Sequence, residues 1–224
     1  SSVAERVYWF ARYVERVENT ARMLLVNNNL LLDMPRNSTL GWEPIVSITG
    51  IPEKFYERHK DATERNVMSF IIMDSNNPSC MLCSIKHARE NLRTSRAIFP
   101  RAVWESLNDL YNYTKENKSA VLTRRSRYEF LRHVIDSCHL ITGKLSASMS
   151  HDQIYEFVRL GRNIERADMT TRVIDVRADN LLPKNDEELK PFDDIHNITN
   201  RHDSRFDLFN TLLSVTCNSC LHEV

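Results

Sequence analysis

Apolar positions along the chain recur with the 3.6-residue period of a helix, and no alternating apolar run is long enough for a convincing strand. The pattern predicts a first helix over residues 3–33. It ends before Met34-Pro35, because the residue preceding a proline is pushed out of the helical region. Pro44 can start a short helix, and Thr63 can cap another that continues to Met73. Residues 74–78 read as a turn before a helix over 79–99, and Pro100 suits the first turn of the next, which ends near Asn117. Residues 126–149 and 152–182 complete the long helices, with Ser150 and Asp152 as candidate caps of the last. Residues 183–191 form a polar linker rich in Asp, Glu and Lys. Residues 192–224 carry one weaker helical pattern through Phe206, Phe209, Leu212 and Leu213. The expectation is an all-α fold, a bundle of long antiparallel helices over 1–182, followed by a linker and helical tail over 183–224.

Two of these helices repeat one charged pattern. Arg12, Glu15, Arg16, Glu18, Thr20 and Arg22 recur as Arg162, Glu165, Arg166, Asp168, Thr170 and Arg172, at a constant offset of 150 residues, which reads as an internal pseudo-repeat. On a helix, Glu15, Glu18 and Arg22 share a stripe, Arg12 lies three residues before Glu15, and Glu18 can pair with Arg22 at i,i+4. Arg162, Glu165, Asp168 and Arg172 reproduce the arrangement, and Asn19 lies within the first copy. The surroundings are apolar: Tyr8, Trp9, Phe10, Tyr13 and Val14 precede or interleave the first stripe, and Met23 to Val26 follow it. Phe157, Val158, Leu160, Ile164, Met169 and Val173 do the same for the second. A solvated face, a buried ionic network joining two helices, and a ligand or catalytic site are the three readings, and duplication within apolar sequence favours the network. Buried ion pairs are weak evidence for stability, because desolvation offsets most of the attraction, but they do specify which helix faces which.

Four strings carry a family resemblance: AERVYWFARYVERVENTARML (4–24), NPSCMLCSIKHARENLRTSR (77–96), AVWESLNDLY (102–111) and FVRLGRNIERADMTTRVIDV (157–176). In order and content they resemble the alpha-E domain family, named for its helical content and its Glu-Arg motif. The likeness runs to about residue 182, which makes residues 183–224 a truncated or divergent end. Members of that family are commonly encoded beside, or fused to, circularly permuted ATP-grasp proteins, and often near transglutaminase-like proteins. The resemblance thereby implies a role in ATP-dependent peptide or amide-bond formation or modification, with an ATP-grasp-type protein and a transglutaminase-like protein as partners.

Composition narrows the class. The 224 residues include 42% hydrophobic positions, enough for a sizeable core, and only four Gly and seven Pro. Thirty basic and thirty acidic residues cancel, so nothing in the charge argues for nucleic acid or an anionic membrane surface. No apolar run approaches the roughly 18 residues that span a bilayer, and no basic region precedes an apolar stretch at the start of the sequence. A cytoplasmic location is the expectation.

The central helix adds Arg89, Glu90, Asn91, Arg93 and Arg96 to the candidate site. Arg89, Arg93 and Arg96 fall on one face and need carboxylate or phosphate partners. Glu15, Glu18, Glu165 and Asp168 on neighbouring helices are the favoured partners, and a bound anion is the alternative. Cys80-Met-Leu-Cys83 and Cys217-Asn-Ser-Cys220 are two CxxC pairs, the second close to His222. They are far apart and lack the turn residues of a zinc knuckle, so reduced, partly buried thiols are expected and no metal or cofactor is assigned. Glu-x-x-His pairs, phosphate-binding loops, nucleophile elbows and dinucleotide fingerprints are absent, and His87, His133 and His139 read as core-edge residues.

Two functions remain. The first is an accessory or interaction domain whose Arg/Glu motifs form a buried polar network. The second is a catalytic or substrate-binding domain in which Arg12, Glu15, Arg16, Arg89, Arg93, Arg162, Glu165 and Arg166 surround a small carboxylate or phosphate ligand. A closed network of mutually neutralised charges favours the first; a concave pocket with arginines in excess favours the second.

Overall fold

The computed structural model describes residues 2–33 and 41–181, with side chains over 2–31 and 41–176. These residues form eight α-helices and one 3-10 turn, with no strand among them. The 32-residue helix α1 (Ser2–Asp33) is the spine. Three short helices follow, α2 (Glu43–Ile48), α3 (Pro52–Tyr56) and α4 (Glu64–Ile72), then α5 (Met81–Thr94), α6 (Arg101–Asn117), the 3-10 turn η1 (Lys118–Leu122), α7 (Arg124–Ser148) and α8 (Gln153–Leu181).

The predicted signals account for most boundaries. Thr63 caps α4 through its hydroxyl, which accepts from the Asn66 N–H at 3.3 Å, and Asp152 caps α8 by accepting from Ile154 at 2.9 Å and Tyr155 at 3.2 Å. Helix α5 is shorter than its periodicity suggests. Thr94 turns its hydroxyl onto the carbonyls of Glu90 and Asn91, and the Ser95 and Ile98 N–H groups close tight turns onto Leu92 and Ser95 before Pro100. Helices α3 and η1 were too short to leave a periodic signal.

Helix α1 packs on α5, α7 and α8. Contacts set the directions. Arg6 reaches the Thr94 carbonyl and Tyr13 meets His87, so α5 runs antiparallel to α1. Glu18 meets His139 and Asn28 meets Arg127, so α7 does likewise. Helices α5 and α6, and α6 and α7, are also antiparallel, through Arg89–Asn108 with Arg96–Trp104 and through Tyr113–His133 with Lys144–Ser106. Within this antiparallel bundle α1 and α8 run the same way: Gly161 lies against Tyr8 and Ala11, while Arg172 and Met23 share a cleft further along. The core is continuous, from Val7, Phe10, Val14, Val17 and Leu24 of α1 to Phe130, Leu131, Val134 and Ile141 of α7, with Phe55, Val67, Phe70 and Ile71 closing one end. Phe10 and Phe99 pack with ring centres 4.7 Å apart and planes inclined at 58°. Each such buried side chain contributes roughly 1.5–3 kcal/mol of hydrophobic stabilisation.

Candidate functional site

The two charged stripes face each other across the α1/α8 seam. A glycine makes the approach close enough: a Cβ on Gly161 would collide with the Tyr8 carbonyl oxygen and come within 3.0 Å of the Ala11 Cβ. Along this seam each helix donates its arginines to the other's glutamate. Arg12 Nε donates to Glu165 Oε2 at 2.7 Å, and Arg16 donates through Nε to Oε1 at 2.6 Å and through Nη2 to Oε2 at 2.9 Å. Reciprocally, Arg162 Nε and Arg166 Nε donate to Glu15 at 3.3 and 2.8 Å. Glu15 and Glu165 are 2% and 1% exposed. Two buried carboxylates therefore each receive two guanidiniums, an arrangement in which charge-assisted hydrogen bonds offset the loss of hydration.

The seam extends at both edges. Asp168 lies 3.6 Å from Arg12 and accepts from Arg172 at 3.2 Å, and Arg172 also donates to the Thr49 carbonyl at 3.1 Å, which ties α8 to the α2 end. Arg12 additionally donates to the Tyr8 hydroxyl at 3.2 Å and lies 5.4 Å from the Trp9 ring centre, while Arg16 lies 5.7 Å from that of Tyr13. Burial opposes the Arg12 charge, yet the hydrogen bonds to Glu165 and Tyr8 prevail and hold its pKa above the ordinary arginine value. Asn19, one turn beyond Glu15, has a buried Nδ2 without a hydrogen-bond partner.

Glu18 belongs to a separate cluster with α7. It accepts from Arg22 Nε and Nη2 at 2.9 and 2.8 Å, as the i,i+4 spacing predicts. His139 completes the cluster, its Nε2 lying 3.0 Å from Glu18 Oε1 and 2.6 Å from Arg22 Nη2. Burial pushes the Glu18 carboxyl up; the His139 hydrogen bond and the Arg22 charge outweigh it, and the pKa falls below the usual value. His139 was expected to be an ordinary core-edge residue, and only the α1/α7 packing shows otherwise.

The central helix does not join the seam. Arg89 turns away from the glutamates to α6, where it donates to Asn108 Oδ1 at 2.8 Å and lies 4.1 Å from the Tyr111 ring centre, and Arg96 lies 5.6 Å from that of Trp104. Arg93 pairs with Glu90 at 3.0 Å on the surface, and Asn91 is half-buried on the same helix. Helical spacing placed Arg89 and Arg96 on one face correctly but could not say that aromatic rings and an asparagine would be waiting there. Cys80 caps α5, its sulfur accepting from the Cys83 N–H at 3.1 Å. Cys217, Cys220 and His222 lie outside the described residues, among which no group of three or more His, Cys, Asp or Glu could share a metal.

One ion-pair centre escaped the sequence reading entirely. Arg127 of α7 is 1% exposed; it donates to the Val121 carbonyl and to Asn28 Oδ1, both at 2.8 Å, and pairs with Glu64 at 2.5 Å. Arg127 follows Arg124 and Arg125 in the sequence, and nothing in that basic run marks which of the three is buried.

A family model described as Alpha-E, a predicted alpha-helical domain with a conserved ER motif, matches residues 1–215. The chain belongs to the Alpha-E family. Glu15-Arg16 and Glu165-Arg166 are Glu-Arg dipeptides at the centre of the seam. The match corrects the expectation that the Alpha-E likeness stops near residue 182, since most of the segment after that point is included. No curated protein and no solved structure matches. No helix among the described residues is long and apolar enough to cross a membrane.

Proposed function

We propose that this Alpha-E domain is an accessory or interaction module that works beside an ATP-grasp-type ligase in peptide or amide-bond formation or modification, in the cytoplasm. The observation behind this reading is the reciprocal closure of the Glu-Arg stripes: Glu15 and Glu165 are buried and each is fully engaged by arginines of the opposite helix. A carboxylate so engaged is a poor general base, because its lone pairs are occupied by the opposing guanidiniums. The ligase and the transglutaminase-like partner are what the resemblance to the family implies, and such a ligase would supply the ATP chemistry. The test is co-purification and thermal shift of the chain with an ATP-grasp protein encoded beside it. A complex, with ligase activity dependent on it, is the expected result; no association and no change in ligase activity would remove the proposal.

A second reading is favoured by a cleft of about 70 Å³ at the edge of the seam. Arg16 and Arg172 line it with Glu165, Asp168, Thr20 and Asn77, and over the seam as a whole arginines outnumber carboxylates. Such a cleft would take a small carboxylate or phosphate, with the two guanidiniums as its anion contacts. Isothermal titration with small amino acids and inorganic phosphate separates the readings: binding lost in Arg172→Ala supports the ligand site, and absence of heat leaves the accessory role.

A further inference from the structure

Helix α8 carries a second stripe, largely apolar and exposed among the described residues. Phe157, Leu160, Ile164, Ala167, Thr171 and Ile174 follow one another at intervals of three, four, three, four and three residues. All six are exposed, and Phe157, Leu160, Ile164 and Ile174 present 38%, 46%, 39% and 42% of their surface to solvent. Their opposite face, with Val158, Gly161, Glu165 and Val173, is the buried one. Apolar residues scattered singly over a surface need no explanation, but an unbroken 3-4 repeat over more than two heptads has the spacing of a coiled-coil seam.

We propose that this stripe binds a second copy of the same chain, α8 against α8, antiparallel about a two-fold axis passing between Ile164 and Ala167. Size complementarity selects the register. Leu160 then meets Thr171 of the other copy and Ile164 meets Ala167, so a large side chain faces a small one in each of the four central layers, and Phe157 meets Ile174 at the two ends. Parallel pairing would instead stack Ala167 on Ala167 and Thr171 on Thr171, and leave gaps. Charge agrees with the antiparallel choice. The positions flanking the stripe on one side are Glu156, Asn163 and Thr170; on the other, Gly161 packs against Tyr8 of α1 and Asp168 pairs with Arg12 and Arg172. Antiparallel pairing sets the Glu156 side against itself in reverse order, so that Asn163 faces Thr170 of the other copy. No two carboxylates are apposed, and Asp168 is already neutralised by Arg12 and Arg172 within its own chain. The contact is isologous and closes after two copies. Because α8 is already folded against α1, association orders only side chains.

The experiment is sedimentation equilibrium of the whole chain. A single helix pair is at the small end of specific interfaces, so a dimer with a dissociation constant on the order of micromolar is expected, populated well below about 200 µM. Ile164→Asp should weaken it by roughly tenfold or more, while at concentrations well below the dissociation constant its melting temperature stays close to that of wild type. The pair N163K/T170E, which sets Lys against Glu across the two-fold, should tighten it, and N163K/T170K should loosen it. A chain that stays monomeric at about 200 µM, or a dimer indifferent to Ile164→Asp, overturns the proposal. So does a monomer whose melting temperature falls with Ile164→Asp, because another part of the same chain would then cover the stripe.

Discussion

Glu15 and Glu165 are each held by the other's helix: the carboxylate on α1 accepts from Arg162 and Arg166, and the carboxylate on α8 from Arg12 and Arg16. The residues that share a stripe within one helix are therefore not the ones that neutralise each other. Spacing within a helix brought them to one face, and parallel packing of the two helices exchanged their partners.

Removing one of these carboxylates leaves two neighbouring, largely buried arginines without their shared counter-charge. Glu165→Ala is expected to cost about 3–5 kcal/mol of unfolding free energy, as is Glu15→Ala. Urea denaturation followed by circular dichroism measures it. The double variant should lose less than the sum, because the two carboxylates share one seam. A cost below about 0.5 kcal/mol would mean the arginines find water, and the seam would then be no part of the architecture.

Gly161 lets α1 and α8 touch. Its Cβ would fall on the Tyr8 carbonyl oxygen, a backbone atom that cannot swing aside. Gly161→Ala raises intrinsic helix propensity and yet should lower stability by about 1–3 kcal/mol, since overpacking forces the helices apart. A melting temperature equal to or above wild type would refute the close contact.

Acid should weaken the contact between α1 and α7. The Glu18 pKa is lowered by His139 and Arg22 in spite of burial, so its contribution is present above the unfolded value, near 4.5, and is lost as pH falls through the lower folded value. Glu64 behaves in the same sense, burial being outweighed by Arg124 and Arg127, as does Asp74 through Asn76 and Arg58. The stability of Glu18→Gln should therefore decline less steeply than that of wild type as pH falls below about 4.5. Parallel slopes for the two proteins would show that Glu18 is not so held.

Burial pushes the Cys80 thiol well up, the Cys83 sulfur adding to the effect, and burial next to Glu18 and Glu15 does the same for Cys138. Thiols kept protonated and enclosed are slow nucleophiles. In the folded protein at mild alkaline pH, iodoacetamide should modify Cys83 before Cys80 or Cys138, with mass spectrometry of the peptides as the readout. Fast labelling of Cys138 would mean that α7 detaches from the core on the labelling timescale.

Helix formation is a local event, governed by apolar period, caps and prolines, and so the sequence by itself determined the all-helical class, the extent of α1, the caps at Thr63 and Asp152 and the turn before α5. It also determined that Arg12, Glu15 and Arg16, and Arg162, Glu165 and Arg166, are charged stripes set in apolar surroundings, and a buried network between two helices was legible from that contradiction. Which helix faces which is decided by contacts between residues far apart in the chain, and these depend on how whole surfaces fit. Only the tertiary structure decided that α8 runs parallel to α1, that Gly161 lets them meet, that Arg89 serves α6 rather than the seam, that His139 joins Glu18, and that Arg127 is buried. Helical periodicity says which side chains share a face, and what that face will meet depends on the packing of every other helix in the bundle.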